Sequence, residues 1–293
     1  MSITHPQITM KTIFTTRLLA LLFLLLCCGT ARCDYANFSE AIGAAIDELQ
    51  AKNYQEAQGI LDEALKFASN NEEKAMTYSV SGLVASTQGR FEQARLQLGK
   101  ISKLDDIDAS TRALALSQTG DTFMIESNPV KARAAYKDAL KVDGIPKDFV
   151  FIAQGGVAET YLLEKSFDMA RAEYEKMLSL KDSTPYVEAF VGRRIGESYI
   201  AESKFEKARE VLTAVLNFKS SDPSPNVQGV VKATQQSAQM DIAETYLLQK
   251  DYARAKQEYE KALAMEKLDP IRKAEIDKQL AVIKTALAQT NGK

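Results

Sequence analysis

Residues 196–208 read GESYIAESKFEKA, and residues 243–255 read AETYLLQKDYARA. Each stretch opens on a small residue, has a tyrosine three positions on, and closes on an alanine twelve positions on. Working outward, the closing alanine recurs at Ala57, Ala94, Ala132, Ala170, Ala208 and Ala255, at intervals of 37, 38, 38, 38 and 47. Twelve residues before each stands Ala45, Gly82, Gly120, Ala158, Gly196 or Ala243. Four residues after each alanine comes a large side chain: Leu61, Leu98, Tyr136, Tyr174, Leu212 or Tyr259. Three beyond that stands Ala64, Ile101, Ala139, Met177, Val215 or Ala262. The last four copies also carry an aromatic three residues after the small one: Phe123, Tyr161, Tyr199 and Tyr246.

Steps of three and four residues place side chains on one face of a helix. Each copy therefore reads as two antiparallel helices, A and B, joined at a polar pair. The small residue on A and the alanine on B let the backbones approach, and the aromatic on A fills the space beside that contact. In the third copy Asn128 is a cap for helix B, and Pro129 takes the first helical position, where a missing N–H costs little. Pro146, Pro185, Pro223 and Pro270 fall after helix B, where a helix must stop. One hairpin cannot bury its own faces, whereas stacked hairpins can.

This pattern resembles the tetratricopeptide repeat family, over residues 37–266. The resemblance implies an all-α fold: a right-handed α-solenoid of about six helical hairpins plus a C-terminal capping helix. The six repeats span about 37–70, 75–107, 113–145, 150–182, 187–219 and 235–267. The period of 38 exceeds the family's roughly 34 by about one helical turn;. That turn is assigned between helix B and the next helix A, because the internal spacing of twelve does not change. No copy has the family's early tryptophan, and the first has Glu48 where the helix-A aromatic stands, as expected of an N-terminal cap. Nine extra residues around Ser220–Asn226 read as a loop. After Asp269-Pro270, the residues Ile276, Leu280, Ile283 and Leu287 predict an amphipathic helix in 269–293 that covers the last repeat.

The N-terminus differs in kind. Lys11 and Arg17 precede the apolar run LLALLFLLLCC at 18–28, and no acid occurs before Asp34. The run is too short to span a bilayer, which needs about 20 residues. Small residues at Gly29 and Ala31 follow, so residues 1–33 read as a removable secretory signal peptide, with Met10 as a second candidate start. An uncleaved anchor and lipidation on Cys28 are the alternatives. All three cysteines and the single histidine, His5, lie in this segment. The mature chain thus lacks the residues for Ser-His-Asp or Cys-His catalysis, thiolate or imidazole zinc sites and disulfides. The full chain's net charge of −2 argues against a dedicated nucleic-acid binder;.

The expectation is an exported, non-enzymatic protein-binding scaffold in a bacterial envelope or secretion assembly, periplasmic or secreted. The alternative is a membrane-tethered structural subunit. No cofactor or metal is implied, membrane contact is confined to a tether, and self-association is compatible with either reading. The family resemblance implies recognition of a protein or peptide along the A helices. There the residue after each small one is acidic in copies three to six: Asp121, Glu159, Glu197 and Glu244. Gln118, Arg193, Arg194 and Asp241 are the neighbouring polar candidates. An acidic ladder would steer basic partners and make binding fall with salt. The plainer reading is local pairing on a solvated helix face, and for Arg193 and Arg194 pairing with Glu159 or Glu197.

Overall fold

The computed structural model describes residues 36–181, 185–266 and 268–291. The leader assigned to residues 1–33 lies outside them. The described residues form α-helices and one short 3-10 turn, with no strand among them. The chain divides into two compact units, Met1–Leu163 and Glu164–Lys293. The first holds α1 (Ala36–Gln50), α2 (Tyr54–Phe67), α3 (Asn71–Thr87), α4 (Phe91–Ile101), α5 (Ala109–Ile125), α6 (Pro129–Ala139) and α7 (Lys147–Leu163). The second holds α8 (Phe167–Lys176), the 3-10 turn Met177–Leu180, α9 (Val187–Ala201), α10 (Phe205–Asn217), α11 (Pro225–Leu248), α12 (Tyr252–Leu263) and α13 (Pro270–Asn291). Up to α12, odd-numbered helices are of type A and even-numbered ones of type B.

The A-to-B turns share one backbone device. Five residues before each repeat alanine stands a residue in the left-handed region: Lys52, Gly89, Ser127, Lys165, Ser203 and Lys250, with φ between 57° and 73°. In five of these turns the next residue's N–H bonds to the carbonyl five positions back, as from Asn128 to Phe123 (2.8 Å) and from Lys204 to Tyr199 (2.8 Å). This closure absorbs carbonyls left over at the end of helix A. Helix B then starts at once. The Asn128 side chain accepts from the Lys131 N–H (3.2 Å), with Pro129 in the first turn. Asp251 does the same for Arg254 (3.0 Å).

The repeat positions form the core. The six alanines are completely buried, as are Leu61, Tyr136, Tyr174 and Leu212. The small residues on helix A make room for the large residue four past the alanine. A Cβ on Gly196 would lie 2.6 Å from the Leu212 side chain. Tyr136 is held more tightly still. A Cβ at Gly120 on α5 would come within 2.6 Å of its ring, and one at Gly156 on α7 within 2.7 Å. The glycine pair Gly155-Gly156 therefore serves, at Gly156, to admit a tyrosine from α6.

From the second copy on, successive hairpins within a unit are joined by an arginine. The residue after the repeat alanine is Arg95, Arg133, Arg171 and Arg209 in copies two to five. Each guanidinium lies over the A-helix aromatic of the following hairpin: Arg95 over Phe123 (4.3 Å), Arg133 over Tyr161 (3.9 Å), Arg171 over Tyr199 (4.2 Å) and Arg209 over Tyr246 (4.5 Å). Each also donates to the hydroxyl preceding that aromatic, on Thr122, Thr160, Ser198 and Thr245, at 2.8–3.1 Å. Those hydroxyls donate to the carbonyl three residues back in their own helix, so their lone pairs are left for the arginine;. An acid or amide one turn on completes three of the clamps: Glu126 with Arg95 (2.6 Å), Glu202 with Arg171 (3.0 Å) and Gln249 with Arg209 (2.8 Å). The helix-A aromatic thus receives its neighbour's arginine, beyond the space-filling role expected of it.

Two expectations for the C-terminal part have different outcomes. The loop expected around Ser220–Asn226 ends at Ser224, and Pro225 opens α11, which is 24 residues long. Proline in the first turn is pre-set for a helix. The added helix also has work to do: Gln235 Nε2 donates to the carbonyls of Leu216 (3.0 Å) and Phe218 (2.9 Å), at the end of α10. The predicted cap is present as α13. Ile276 and Ile283 are fully buried against Ala243, Tyr259 and Ala262, with Leu280 and Leu287 packed alongside.

Candidate functional site

The A helices carry the predicted site residues, and each unit presents its own set. In the first unit, Gln118 and Asp121 lie one turn apart on α5, and Glu159 lies on α7, which packs on α5. Gln118 and Glu159 are buried, at 7% and 5% exposure. Asp121 is half-buried, and its Oδ1 accepts from the Tyr136 hydroxyl at 2.6 Å. That bond follows from the packing, since the ring slotted between two glycines delivers its hydroxyl to α5. Gln118 Oε1 is buried and accepts no hydrogen bond among the described residues.

The second unit brings its candidates into direct contact. Arg193 donates through Nε to Asp241 on α11 (2.8 Å) and pairs through Nη2 with Glu197 one turn on (2.6 Å). Arg194 Nη1 holds the other oxygen of Glu197 at 2.7 Å. One carboxylate is thus gripped by two guanidiniums, and one guanidinium bridges two A helices. These are charge-assisted bonds in a poorly solvated place, where an unpaired charge is costly. Glu244, one turn past Asp241, is half-buried and has no hydrogen bond or ion pair among the described residues.

The electrostatics follow from that unequal sharing. Burial works against the Glu197 charge, but Arg193 and Arg194 overcome it and hold the carboxyl below its usual range. Burial outweighs Arg193 at Asp241 and pushes that carboxyl up to about 6. Glu244 is pushed up to about 7, first by burial and then by the charges of Asp241 and Glu197, with Arg193 opposing and Glu275 adding. Burial, with Glu244, Asp241 and Glu275 nearby, also raises the Tyr259 hydroxyl.

The structure therefore differs from a ladder of four equivalent free acids. Asp121 and Glu159 belong to the first unit, Glu197 and Glu244 to the second. Asp121 and Glu197 are committed to Tyr136 and to the arginine pair. The apolar neighbours Leu162, Ile200 and Leu247 are half-buried, whereas Met124 is buried. Sequence reasoning passed over the arginine clamp and the charge of Glu275, on α13, that acts on Glu244. The clamp had a signal: arginine after the alanine, and a hydroxyl before the aromatic, four times over. Glu275 had none, because it lies on a separate helix outside the repeats. Among the described residues no group of three or more His, Cys, Asp or Glu side chains could hold a metal ion, and no helix is long and apolar enough to cross a membrane.

Helical hairpins of this spacing, with small-residue slots and a polar A-helix face, define a helical-repeat protein. Residues 237–267 match the family described as Tetratricopeptide repeat. No curated protein matches the chain in sequence. Several solved structures share the fold. A tetratricopeptide repeat protein from Parabacteroides merdae is 15% identical, with a TM-score of 0.55 over 86% of this chain and 87% of that one. The apo form of RapI is 11% identical, with a TM-score of 0.55 over 87% of this chain and 86% of its own. The Cut9–Hcn1 hetero-tetramer of the APC/C contains a chain 13% identical, with a TM-score of 0.51; the match covers 82% of this chain and 42% of that one. Folds of this kind generally serve as scaffolds that bind other proteins.

Proposed function

We propose that this chain is an exported, non-enzymatic scaffold that binds a partner protein or peptide along its A-helix face, in a bacterial cell-envelope or secretion assembly. The observation that carries the reading is the Arg193–Glu197–Arg194–Asp241 network. Ion pairs of 2.6–2.8 Å fix it across two A helices, and beside it Glu244 is half-buried and makes no ion pair among the described residues. A preorganised polar surface costs little to order on binding, which favours affinity and specificity. Export rests on the leader-like residues 1–33.

Photo-crosslinking tests the surface. A photoreactive amino acid at Leu162 or Ile200, half-buried on A helices, is compared with one at Leu96 or Val130, exposed on B helices, in envelope preparations. Adducts to one protein from the A-helix positions alone are the expected result. The exposed Leu96, Val130 and Met169 favour a second reading, a structural subunit that assembles through its B-helix face. Adducts from B-helix positions alone would select it and remove the first. The mass of the mature protein tests export: a start at Arg32 or Asp34 without lipid is expected, and retained leader or an added acyl mass indicates a tether.

A further inference from the structure

The first unit has an open cleft of about 800 Å³, whose walls include Tyr54, Gln58, Gly59 and Asp62 of α2 and Gln88 and Arg90 of the turn between α3 and α4. That volume is in the range of ligand sites, roughly 300–1,000 Å³. The repeat pattern shows what occupies the equivalent place in later copies. Gln58 holds the position of Arg95, Arg171 and Arg209, and Gln88 holds that of Glu126, Glu202 and Gln249. In those joints a guanidinium bridges the two positions: Arg95 reaches Glu126 at 2.6 Å, Arg171 reaches Glu202 at 3.0 Å and Arg209 reaches Gln249 at 2.8 Å. In the first joint Gln58 instead turns along its own helix to Asp62 (3.0 Å). Gln88 is exposed, and its side chain makes no hydrogen bond among the described residues. Gly59 adds no bulk, and a Cβ there would meet nothing within 4 Å.

We propose that this cleft binds an arginine side chain of a partner protein, which supplies from outside the guanidinium that later joints take from their own B helix. The acceptors are in place. Asp62 is exposed, and Gln58 occupies only its Oδ1, so the second oxygen is left for an incoming donor. Gln88 offers an amide oxygen, as Gln249 does to Arg209. Tyr54, half-buried against the core cluster of the first hairpins, sets an aromatic ring in the wall, whereas Ala85 stands where the later joints have theirs;. A guanidinium has five N–H donors in a planar fork, so it serves a carboxylate and an amide together, which an ammonium does poorly. Arg90 also lines the cleft, and its charge opposes an incoming cation. The α8–α9 joint shows that two such cations coexist: Lys204 holds the position of Arg90, and it and Arg171 both pair with Glu202. In the first joint Asp62 supplies the negative charge. The cleft shares no residue with the A-helix set, so it stands or falls independently of the function proposed above.

The test titrates the full chain with the blocked peptide acetyl-Gly-Arg-Gly-amide and follows backbone amide resonances by NMR. The arginine peptide is expected to bind saturably at millimolar concentration or below and to shift the amides of Gly59, Gln88, Gly89 and Arg90. The lysine peptide keeps the charge without the fork, and the citrulline peptide keeps the shape without the charge. Each should bind about fivefold more weakly or worse. Asp62→Asn should weaken the arginine peptide about tenfold, and Gln88→Leu about threefold. Gln58→Arg places the residue of the later copies in the cleft and should abolish binding. These side chains lie outside the core, and the variants are expected to melt within a few degrees of wild type. The proposal is overturned if no saturable shift occurs, if the shifts lie away from the cleft, or if the three peptides bind alike. It is equally overturned if Asp62→Asn or Gln58→Arg binds the arginine peptide as wild type does.

Discussion

The joint between α2 and α3 and the joint between α8 and α9 occupy the same repeat positions and are held by different chemistry. At the first, Gln58 follows the repeat alanine and bonds Asp62 of its own helix (3.0 Å), while Val84 and Ala85 stand where later copies carry a hydroxyl and an aromatic. Val84 is fully buried in an apolar cluster that runs from Phe38 on α1 through Leu61 on α2 to Leu83 on α3. At the second, Arg171, 8% exposed at its side chain, lies over Tyr199, donates to Ser198 and pairs with Glu202 and Asp168. An end hairpin needs only one buried neighbour and uses oily contact. An inner hairpin is fixed in register by a directional group. The difference shows that the repeat conserves a location for the joint while exchanging the force that closes it.

The comparison breaks most sharply at Val84. Val84→Asp places a carboxylate in a cluster with no cation to meet it. The expected loss is about 4 kcal/mol or more, read by urea unfolding. The same change at the clamped equivalent, Ser198→Asp, sets the new charge beside Arg171 and should cost clearly less. Equal losses at the two positions would mean that the joints are not chemically distinct.

Next in size is the clamp. Arg171→Ala removes the stacked plane, leaves Ser198 without its donor and leaves Glu202 to Lys204 alone, for a loss of about 2 kcal/mol;. Arg171→Lys keeps the charge without the planar fork and should recover roughly half. Gln58→Ala, its counterpart in the first joint, should stay within about 0.5 kcal/mol, as surface changes do. Denaturant midpoints for the three variants suffice. If Arg171→Ala costs no more than Gln58→Ala, the clamp does not hold the joint.

The same contrast explains what the sequence could reveal. The positions with nothing exposed, such as Ala94, Ala132 and Leu212, tolerate so little that their spacing spells out the hairpins. Arg95 and its equivalents read, one copy at a time, as solvated surface, and only their placement over the next hairpin's aromatic discloses their use. Asp121 and Glu197 were legible as a recurrent acid but not as partners of Tyr136 and of two arginines, because those partners lie on other turns or other helices. Pro225 marked a boundary, and its role as a start rather than a break depended on Gln235 finding the end of α10. The division of the chain after Leu163 has no counterpart in the repeat pattern, which continues evenly through that point.

The smallest effect lies in the turns, where the second copy differs from the other five. Gly89 takes the left-handed conformation without side-chain cost, whereas Ser203 takes it with φ of 59°. A Cβ there costs about 1 kcal/mol, while glycine's extra freedom in the unfolded chain takes back a good part of the gain. Ser203→Gly is therefore expected to stabilise by about 0.5 kcal/mol, and Gly89→Ser to destabilise by a similar amount. A reciprocal pair of midpoint shifts would mean that the six turns are one backbone conformation written with different residues. Destabilisation by Ser203→Gly would instead mean that the serine supplies something to its turn that the glycine copy does without.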